Sequence, residues 1–296
     1  MVAKPFLKWA GGKGQLLPII NEKCPDDLAT GRYQYCEPFV GGGAVLFDVL
    51  SKYPFQSVLI NDINTELINT YKLVKSEVEE LINQLDKLQS MFWPMNDELR
   101  KQMYYEKRDR YNLISVGSSA SIDLEKAALL IFLNKTCFNG LYRVNSQGQF
   151  NVPMGSYKMP MICDAPNLRR VSNLLKNVNI VNSDFRNCLP FITKNTFVYI
   201  DPPYRPLSVT ASFNSYAKAD FDDNEQIELG RFVDTIHLRG AKIVISNSDP
   251  KNINEEDDFF DALYNRYDII RIPAKRMINS NAELRGDINE LLISNF

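Results

Sequence analysis

The sequence contains very little histidine and no closely spaced cysteines. His237 is the only histidine among the 296 residues, and the five cysteines lie far apart without a C-x-x-C pair. These shortages argue against a histidine-based catalytic triad, a histidine-rich metal site and a zinc site. We predict reduced thiols, no metal, and a surface position on a helix for His237.

Long apolar runs are absent as well. No stretch of 18 apolar residues occurs, and the mean hydropathy is -0.25, so a membrane span is not expected. The first residues include lysine but no apolar core, so we expect no secretory signal and predict a cytoplasmic protein. The composition, 45% hydrophobic and 24% charged, is typical of a globular protein with one large or two modest domains.

The net charge is only -2, but the balance of positive and negative charge varies along the chain. Residues 134–176 contain a single acid, Asp164, and six basic residues. A concentrated basic segment in a mildly acidic protein favours one face that binds a polyanion, and an ordinary solvated surface is the alternative. The six basic residues are Lys135, Arg143, Lys158, Arg169, Arg170 and Lys176.

Short runs rich in β-branched and aromatic residues alternate with stretches of helical periodicity. This alternation predicts an α/β fold with a mostly parallel, doubly wound sheet. The last two runs are too close for a crossover helix, which favours a terminal antiparallel pair. The predicted strands are 33–37, 57–61, 178–182, 196–200, 241–246, 267–272 and 288–294, and the predicted helices include 42–52, 66–90 and 224–238.

One region, from about residue 68 to residue 160, lacks strands of the central type. Its sequence is helical at first, then serine-rich at 115–121, and finally rich in turn residues. We predict a mostly helical insertion between the second and third strands, with a flexible loop at 115–121 and an exposed hairpin-like tip. The predicted domains are a discontinuous domain of 1–67 and 161–296 and an inserted domain of 68–160.

Four predicted strands end in or next to an acidic residue. Ligands of open α/β sheets bind at the carboxyl ends of the strands, so these acids are expected to line one cleft. The glycine turn at 41–43 lacks the G-x-G-x-x-G spacing of dinucleotide-binding proteins, which disfavours a Rossmann oxidoreductase. S-adenosylmethionine fits better, because Asp62 could hold its ribose and Phe185 could pack on its purine without any grip on phosphate. The four acids are Glu37, Asp62, Asp184 and Asp201.

Six motifs, taken in order, give the chain a resemblance to a known family. The motifs are FLKWAGGKGQLL, EPFVGGGAVLFD, NDIN, NGLYRVNSQGQFNVPMGSY, SDF and DPPY. Together they resemble the DNA adenine methylase (Dam) family of N6-adenine methyltransferases, from about Phe6 to Tyr216 and more loosely beyond. The resemblance implies a Rossmann-like methyltransferase sheet, S-adenosylmethionine as cofactor, double-stranded DNA as partner, and a role in target recognition for the insertion.

The resemblance also assigns roles to individual residues. Those implied to bind the cofactor are Trp9, Gly11, Lys13, Glu37, Pro38, Phe39, Gly41, Asp62, Asp184, Phe185 and Asp201. Those implied to receive the target base and act in catalysis are Asp201, Pro202, Pro203 and Tyr204. Those implied to contact DNA are Lys8, Phe138, Asn139, Leu141, Arg143, Pro153 and Tyr157.

The DPPY motif suits chemistry on an exocyclic amine. Two prolines lack N–H groups and have a fixed φ, so a stiff turn must follow the strand. Adenine N6 is a poor nucleophile because its lone pair is delocalised into the ring. The Asp201 carboxylate and the Pro202 carbonyl could accept its two N–H bonds and stabilise the developing charge, while Tyr204 stacks on the base. No metal is required, since a sulfonium is already an activated methyl donor.

A base within a duplex must be flipped out before it can react. Phe138 could wedge into the gap, Arg143 could pair with guanine, and Leu141 could touch a thymine methyl. The remaining basic residues of the segment, Lys158, Arg169 and Arg170, are expected to meet phosphates.

The expected target is GATC or a related site containing GAT, and a cognate restriction endonuclease acting separately is compatible with the sequence. Two alternatives stay open: the same fold acting on cytosine N4 or an RNA base, and a DNA-binding regulator with a vestigial cofactor site. Asp201 favours adenine, because cytosine-N4 enzymes more often have serine at that position. No membrane partner is expected.

Overall fold

The structure of the protein is a computed structural model that describes residues 2–9, 11–205, 221–275 and 287–296. These residues form nine α-helices and seven strands. The helices are α1 (Leu17–Glu22), α2 (Ala44–Lys52), α3 (Thr65–Ser76), α4 (Val78–Phe92), α5 (Asp97–Leu113), α6 (Ala120–Thr136), α7 (Ala165–Leu175), α8 (Asp223–Leu238) and α9 (Phe259–Leu263). The strands are β1 (Gln34–Glu37), β2 (Val58–Asp62), β3 (Val178–Asn182), β4 (Thr196–Ile200), β5 (Lys242–Ser248), β6 (Asp268–Lys275) and β7 (Asp287–Ser294).

The seven strands form one sheet in the order β3-β2-β1-β4-β5-β7-β6. β1 pairs in parallel with β2 and β4, and β4 pairs in parallel with β5. β7 is antiparallel to both β5 and β6. The predicted α/β fold is confirmed: all seven predicted strands are present, and the last two form an antiparallel pair.

The chain divides into two compact units by the packing of its backbone. The first unit consists of Met1–Gly12, Val40–Lys52 and Asn61–Ser183, and the second of Lys13–Phe39, Tyr53–Ile60 and Asp184–Phe296. This division follows the packing of the backbone. The predicted domains, 1–67 with 161–296 on the one hand and 68–160 on the other, are instead separated by their expected functions. The predicted domains therefore stay a prediction.

The first unit is mainly helical and is built around α6. α3, α4 and α5 each pack on α6, and α3 also packs on α7. α6 is buried along most of its length, from Lys126 to Thr136, which explains why its apolar residues do not lie on one side only. α3 begins after Asn64, whose side-chain oxygen accepts a hydrogen bond from the N–H of Leu67.

The insertion agrees with its prediction in type and differs in detail. Residues 63–177, all of which are described, contain no strand, and antiparallel bridges between Cys137 and Met154 and between Val144 and Phe150 form the hairpin-like tip. The helix predicted at 66–90 is two helices, because the backbone at Glu77 leaves helical geometry (φ -129°, ψ 39°).

The predicted loop at 115–121 is shorter than expected. Ser119 caps α6 by accepting a hydrogen bond from the N–H of Ile122, so the helix already begins at Ala120. Serine at the start of a helix supplies a capping oxygen, and this explains why a serine-rich stretch can end in helix.

The second unit contains an apolar core around β4. Val198 and Ile200 of β4 and Ile243 and Ile245 of β5 pack with side chains of α8, including Phe232. All five residues of β4 are buried. Burial of a large apolar side chain stabilises a fold by about 1.5–3 kcal/mol, so this core fixes the strand that leads into Asp201.

Several smaller features of the structure concern the histidine, the cysteines and the described helices. His237 lies on α8 as predicted, but it is half-buried: its Nδ1 is 2.9 Å from Nδ2 of Asn295, and its ring packs on Tyr267. All five cysteines are buried free thiols. In the part of the chain that is described, no helix has the length and apolar character needed to span a bilayer, and no cluster of three or more metal-ligating side chains is found.

Candidate active site

In the first unit, the glycine turn is joined to the acid that ends β2. Asp62 accepts hydrogen bonds from the N–H of Gly41 at 3.1 Å and from the N–H of Asn64 at 2.9 Å, one on each carboxylate oxygen. Burial raises the pKa of Asp62, and these backbone N–H groups oppose the rise. The N–H of Ile63 also acts on this carboxylate, which leaves at least one of its four lone-pair positions to accept a bond from a hydroxyl group.

The glycines of this turn are required by close approach. Gly43 has φ +74°, and a Cβ there would lie 2.5 Å from the hydroxyl of Tyr71. Tyr71 in turn donates a hydrogen bond to the carbonyl of Gly41 at 3.0 Å. The indole of Trp9 lies against the same turn, 3.0 Å from the position of a Cβ on Gly41. The backbone of the turn is therefore held tightly between Trp9 and Tyr71 of α3.

Four polar side chains of the second unit, two of them from the DPPY motif, form one cluster. The ammonium of Lys13 is 3.0 Å from Oδ1 of Asp201 and 3.6 Å from Oε2 of Glu290. The Tyr204 hydroxyl accepts a hydrogen bond from Lys13 and donates one to Glu290 at 2.8 Å. Only 3% of the Lys13 side chain is exposed, compared with 22% for Asp201 and 17% for Glu290. One buried cation is therefore shared by two carboxylates.

Asp201 is bound on one oxygen only. Ser246 donates a hydrogen bond to Oδ1 at 3.0 Å, and the hydroxyl of Tyr199 is 2.9 Å from that of Ser246. Oδ2 has no hydrogen-bond partner among the described residues. Burial raises the pKa of Asp201, Lys13 and Ser246 act to lower it, and the charge of Glu290 raises it further.

The two prolines differ in their surroundings. Pro202 is buried and Pro203 is exposed, and Gln226 of α8 donates a hydrogen bond to the carbonyl of Pro203 at 3.1 Å. Gln226 is fully buried. The turn after β4 is thus fixed both by proline geometry and by a side chain from α8.

Three of the residues that hold this cluster were not predicted from the sequence: Glu290, Ser246 and Gln226. Glu290 is a single acid within the apolar strand INELLI, and Ser246 begins the polar end of β5. An acid in a buried strand needs a partner, so Glu290 carried a readable signal. Nothing in the sequence indicates that its partner is Lys13.

The other predicted cofactor residues of the second unit are more buried or more engaged than expected. Glu37 is buried and accepts a hydrogen bond from the hydroxyl of Tyr35 at 2.9 Å. Asp184 accepts hydrogen bonds from the backbone and guanidinium of Arg186 at 2.8 and 2.7 Å. Phe185 is a core residue whose ring lies 5.3 Å from that of Phe39. Pro38 is also buried.

The predicted DNA contacts lie along one connected segment of the first unit. Phe138 is 52% exposed, and its N–H donates to the carbonyl of Pro153 at 2.9 Å. The Lys8 ammonium is 3.4 Å from the hydroxyl of Tyr157 and lies over its ring. Arg143 donates to Oδ1 of Asn151 at 2.8 Å, which fixes the guanidinium. The predicted residues of this segment are Phe138, Asn139, Leu141, Arg143, Pro153 and Tyr157.

Two of these residues have features of their own. Asn139 is exposed with φ +55°, the one non-glycine residue with positive φ in the described chain. Leu141 is half-buried. Of the remaining cofactor residues, Gly11 is exposed with φ +74°.

A mostly parallel α/β sheet, with a glycine turn after one strand and a carboxylate beside a proline turn after another, defines a Rossmann-like group-transfer enzyme. The family model of the D12 class N6 adenine-specific DNA methyltransferases matches residues 9–278. The chain belongs to this family and is an adenine-specific DNA methyltransferase. The resemblance to the DNA adenine methylases is confirmed.

Individual relatives agree with the family. A type II methyltransferase, M.MjaIII, from Methanocaldococcus jannaschii is 49% identical over 298 aligned positions that cover both chains fully. M1.LlaDCHI, a type II methyltransferase from Lactococcus lactis subsp. cremoris, is 36% identical over 99% of this chain and 95% of its own. A DNA adenine methylase from Haemophilus influenzae is 32% identical over 98% of this chain and 92% of its own.

Proposed function

We propose that the protein transfers a methyl group from S-adenosylmethionine to adenine N6 in GATC, or in a related duplex site containing GAT, after flipping that adenine out. The observation that carries the proposal is the hydrogen bonding of the Asp201 carboxylate. Its Oδ1 is held by Lys13 and Ser246, whereas Oδ2 has no partner among the described residues. The amino group of a flipped adenine supplies the N–H that Oδ2 lacks.

The reaction gains from this arrangement as the amine becomes tetrahedral. S-adenosylmethionine, when bound, would supply the methyl carbon to the N6 lone pair and keep the electron pair of its C–S bond as a neutral thioether. N6 would carry positive charge until its extra proton passes to water, and the Asp201 carboxylate would stabilise that charge. The carbonyl of Pro202, which no described residue reaches with a donor, is the proposed second acceptor.

Tyr204 is proposed to present its ring to the base. Its hydroxyl is fixed by Lys13 and Glu290, so the ring is oriented before the base arrives. Preorganisation of this kind reduces the entropy lost on binding.

The polar side chains among the predicted cofactor residues fit S-adenosylmethionine, which would supply an electrophilic methyl group on a sulfonium when bound. The lone pair left on Asp62 suits a ribose hydroxyl, and the acceptor pair of Asp184 suits an adenine amino group. The exposed edge of Trp9 and the charges of Lys13 and Glu37 suit the methionine end. The further proposed contacts are Gly11, Pro38, Phe39, Gly41, Phe185 and Asp201.

The predicted DNA contacts are proposed to read the duplex. Phe138 has an exposed apolar ring on a rigid turn, as a wedge into the base stack requires. Arg143 is oriented by Asn151 and retains N–H groups for guanine O6 and N7. Lys8, Asn139, Leu141, Pro153 and Tyr157 are the other proposed contacts.

The assignment of functions to domains and partners is also a proposal. Residues 1–67 and 161–296 would bind the cofactor and carry out the chemistry, and 68–160 would recognise the target. Relatives named type II methyltransferases support a restriction endonuclease that acts separately on the same site. A cytoplasmic location is likewise part of the proposal.

Sequencing of methylated DNA tests the whole proposal. Cells that lack adenine methylation would express the protein or its Asp201→Ala variant, and base-modification sequencing would map the products. We expect N6-methyladenine at a GAT-containing site with the unaltered protein and none with the variant. The purified variant is expected to bind the same duplex with normal affinity.

Other outcomes would favour the alternatives. Methylation of cytosine N4 or of RNA would change the substrate and keep the fold. Binding of S-adenosylmethionine without methylation of any duplex would favour a regulator with a vestigial site. Normal activity of Asp201→Ala would refute the role of Asp201.

A further inference from the structure

Residues 8 and 9, which we call the strap, are hydrogen-bonded next to residues 138–157. We call these residues the DNA-reading segment because they contain most of the proposed DNA contacts. Asn134, at the end of α6, accepts a hydrogen bond from the N–H of Lys8 and donates to its carbonyl, both at 2.8 Å. The same amide donates to the carbonyl of Gly140 at 2.9 Å. Asn134 is only 1% exposed, so these three bonds are shielded from water.

Gly140 reinforces this junction. Its φ is +66°, and a Cβ there would lie 2.3 Å from the side chain of Lys8. The Lys8 side chain therefore lies directly against the backbone of Gly140, with no space for a side chain at position 140.

Trp9 links the DNA-reading segment to the glycine turn. On one side its atoms lie 3.0 and 2.9 Å from the Cβ positions that side chains on Gly41 and Gly42 would occupy. On the other side its ring is stacked on Tyr142, with centroids 5.1 Å apart and planes 24° from parallel. The residue proposed to line the cofactor is thus held in place by a ring from the DNA-reading segment.

Tyr142 itself is hidden from solvent. It is only 5% exposed, and it stands between Leu141 and Arg143, which are proposed to contact bases. When these neighbours bind a cognate site, a shift of the backbone must move the Tyr142 ring or press it on Trp9. Stacked aromatic rings stabilise one another beyond the burial of their area, so a change in the stack alters the free energy of cofactor binding at Trp9.

We propose that Tyr142 is a positioning residue that couples target recognition to cofactor binding through Trp9. The inference rests on the proposed function, and it adds that a cognate duplex tightens cofactor binding. Linkage makes the effect reciprocal: the cofactor must tighten binding of the cognate duplex by the same factor.

The test measures this coupling factor with a non-reactive probe. The dissociation constant of S-adenosylhomocysteine would be determined by calorimetry without DNA, with the duplex identified by methylation sequencing, and with a scrambled duplex of the same length. For the unaltered protein we expect the cognate duplex to tighten binding about fivefold or more, and the scrambled duplex to have little effect.

Three variants separate coupling from simple packing. Tyr142→Phe keeps the stacked ring and should keep the coupling factor within about twofold, whereas Tyr142→Leu removes the ring and should bring the factor close to one. Phe92→Leu is the matched control, because it removes a buried ring that packs on Phe132 in the same unit. It should lower stability and leave the coupling unchanged.

A second measurement serves if Tyr142→Leu does not fold. Trp9 and Trp93 are the only tryptophans, so a Trp93→Phe protein reports the environment of Trp9 alone by fluorescence. Cognate duplex without cofactor should change this signal, and scrambled duplex should not. The Trp93→Phe protein that also carries Tyr142→Phe should show the same fluorescence response to the two duplexes.

Several results would overturn the inference. They are a coupling factor of one in the unaltered protein, full coupling in Tyr142→Leu, loss of coupling in Tyr142→Phe, and no response of Trp9 to cognate duplex. Normal methylation together with any of these would leave the proposed function intact. No binding of S-adenosylhomocysteine under any condition would instead refute the proposed function, and the inference with it.

Discussion

The charges around Asp201 determine the pH range in which it can accept a hydrogen bond. The proposed role of Asp201 requires an ionised carboxyl, and burial raises its pKa whereas the ammonium of Lys13 lowers it. Activity should therefore fall on the acid side at a higher pH than an ordinary aspartate gives. Lys13→Met removes the opposing charge, so the acid limb of kcat should move to still higher pH. The measurement is kcat against pH at saturating cofactor.

A matched control tests whether this shift is specific. Lys251 of the same unit binds Asp258 and Asp261, at 2.5 and 3.3 Å, in a separate ionic cluster. Lys251→Met removes the same charge and should leave the acid limb unchanged. An unshifted limb in Lys13→Met would show that the ammonium does not act on Asp201.

Glu290 provides a prediction of opposite sign. Its negative charge raises the pKa of Asp201, so Glu290→Gln should move the acid limb of kcat to lower pH. Glutamine keeps an oxygen that can accept the hydrogen bond from Tyr204, so the aromatic ring should stay in position. A shift in the same direction as that of Lys13→Met would contradict this account of the charges.

At the residue scale, the sequence pointed to Asp201 and Tyr204 but not to Glu290, which binds Tyr204 and Lys13. Asp201 and Tyr204 were predicted because a carboxylate, two prolines and an aromatic ring are adjacent in the chain. Glu290 lies far away in sequence and reaches the cluster only because β7 pairs with β5, with Glu290 opposite Ser248. Strand pairing of this kind is decided by the whole sheet, so local patterns cannot show it.

At the scale of elements, the glycine turn between β1 and α2 is held by two separable constraints. Gly43 has φ +74°, and a Cβ there would lie 2.5 Å from the hydroxyl of Tyr71 and 2.9 Å from the ring of Phe47. Gly43→Ala should therefore lower the free energy of unfolding by about 2–4 kcal/mol, from backbone strain and overpacking together. Denaturant unfolding followed by circular dichroism measures this loss.

Gly117 allows the cost of backbone strain to be measured apart from the cost of overpacking. It also has a positive φ, +88°, but nothing lies within 4 Å of the position of its Cβ. Gly117→Ala should cost only the backbone term, about 1 kcal/mol. Equal losses in the two variants would show that packing against Tyr71 and Phe47 is not what requires glycine at position 43.

The elements themselves were largely predictable, and the exceptions have physical causes. Strands were visible because β-branched runs end at turns, and the terminal pair was visible because no crossover fits between its strands. The break between α3 and α4 was not visible, because Glu77 is neither glycine nor proline and the apolar spacing continues across it. α3 packs against α6 and α7, and tertiary contacts of this kind cannot be seen in the local sequence.

At the scale of the whole molecule, charge distribution matters more than net charge. The chain carries a net charge of -2, yet residues 134–176, which include the predicted DNA contacts of the hairpin-like tip, contain six basic residues and a single acid. The structure adds that these cations are not equivalent. Arg169 forms two hydrogen bonds with Glu79, both at 2.7 Å, and these bonds lower the pKa of Glu79. Lys158 is exposed and has no ion-pair partner among the described residues.

This difference predicts unequal contributions to the salt dependence of DNA binding. Each phosphate contact steepens the slope of log K against log salt by about 0.9, because a condensed counterion is released. Lys158→Gln should therefore reduce the slope by about 0.9 on cognate and scrambled duplexes alike, since a phosphate contact carries no sequence information. Arg169→Gln is the comparison, and it should change the slope by less than half as much because its charge is already neutralised by Glu79. Fluorescence anisotropy between 50 and about 200 mM salt gives both slopes. A larger effect of Arg169→Gln would mean that DNA displaces Glu79 and that the ion pair is a reserve for binding rather than a structural contact.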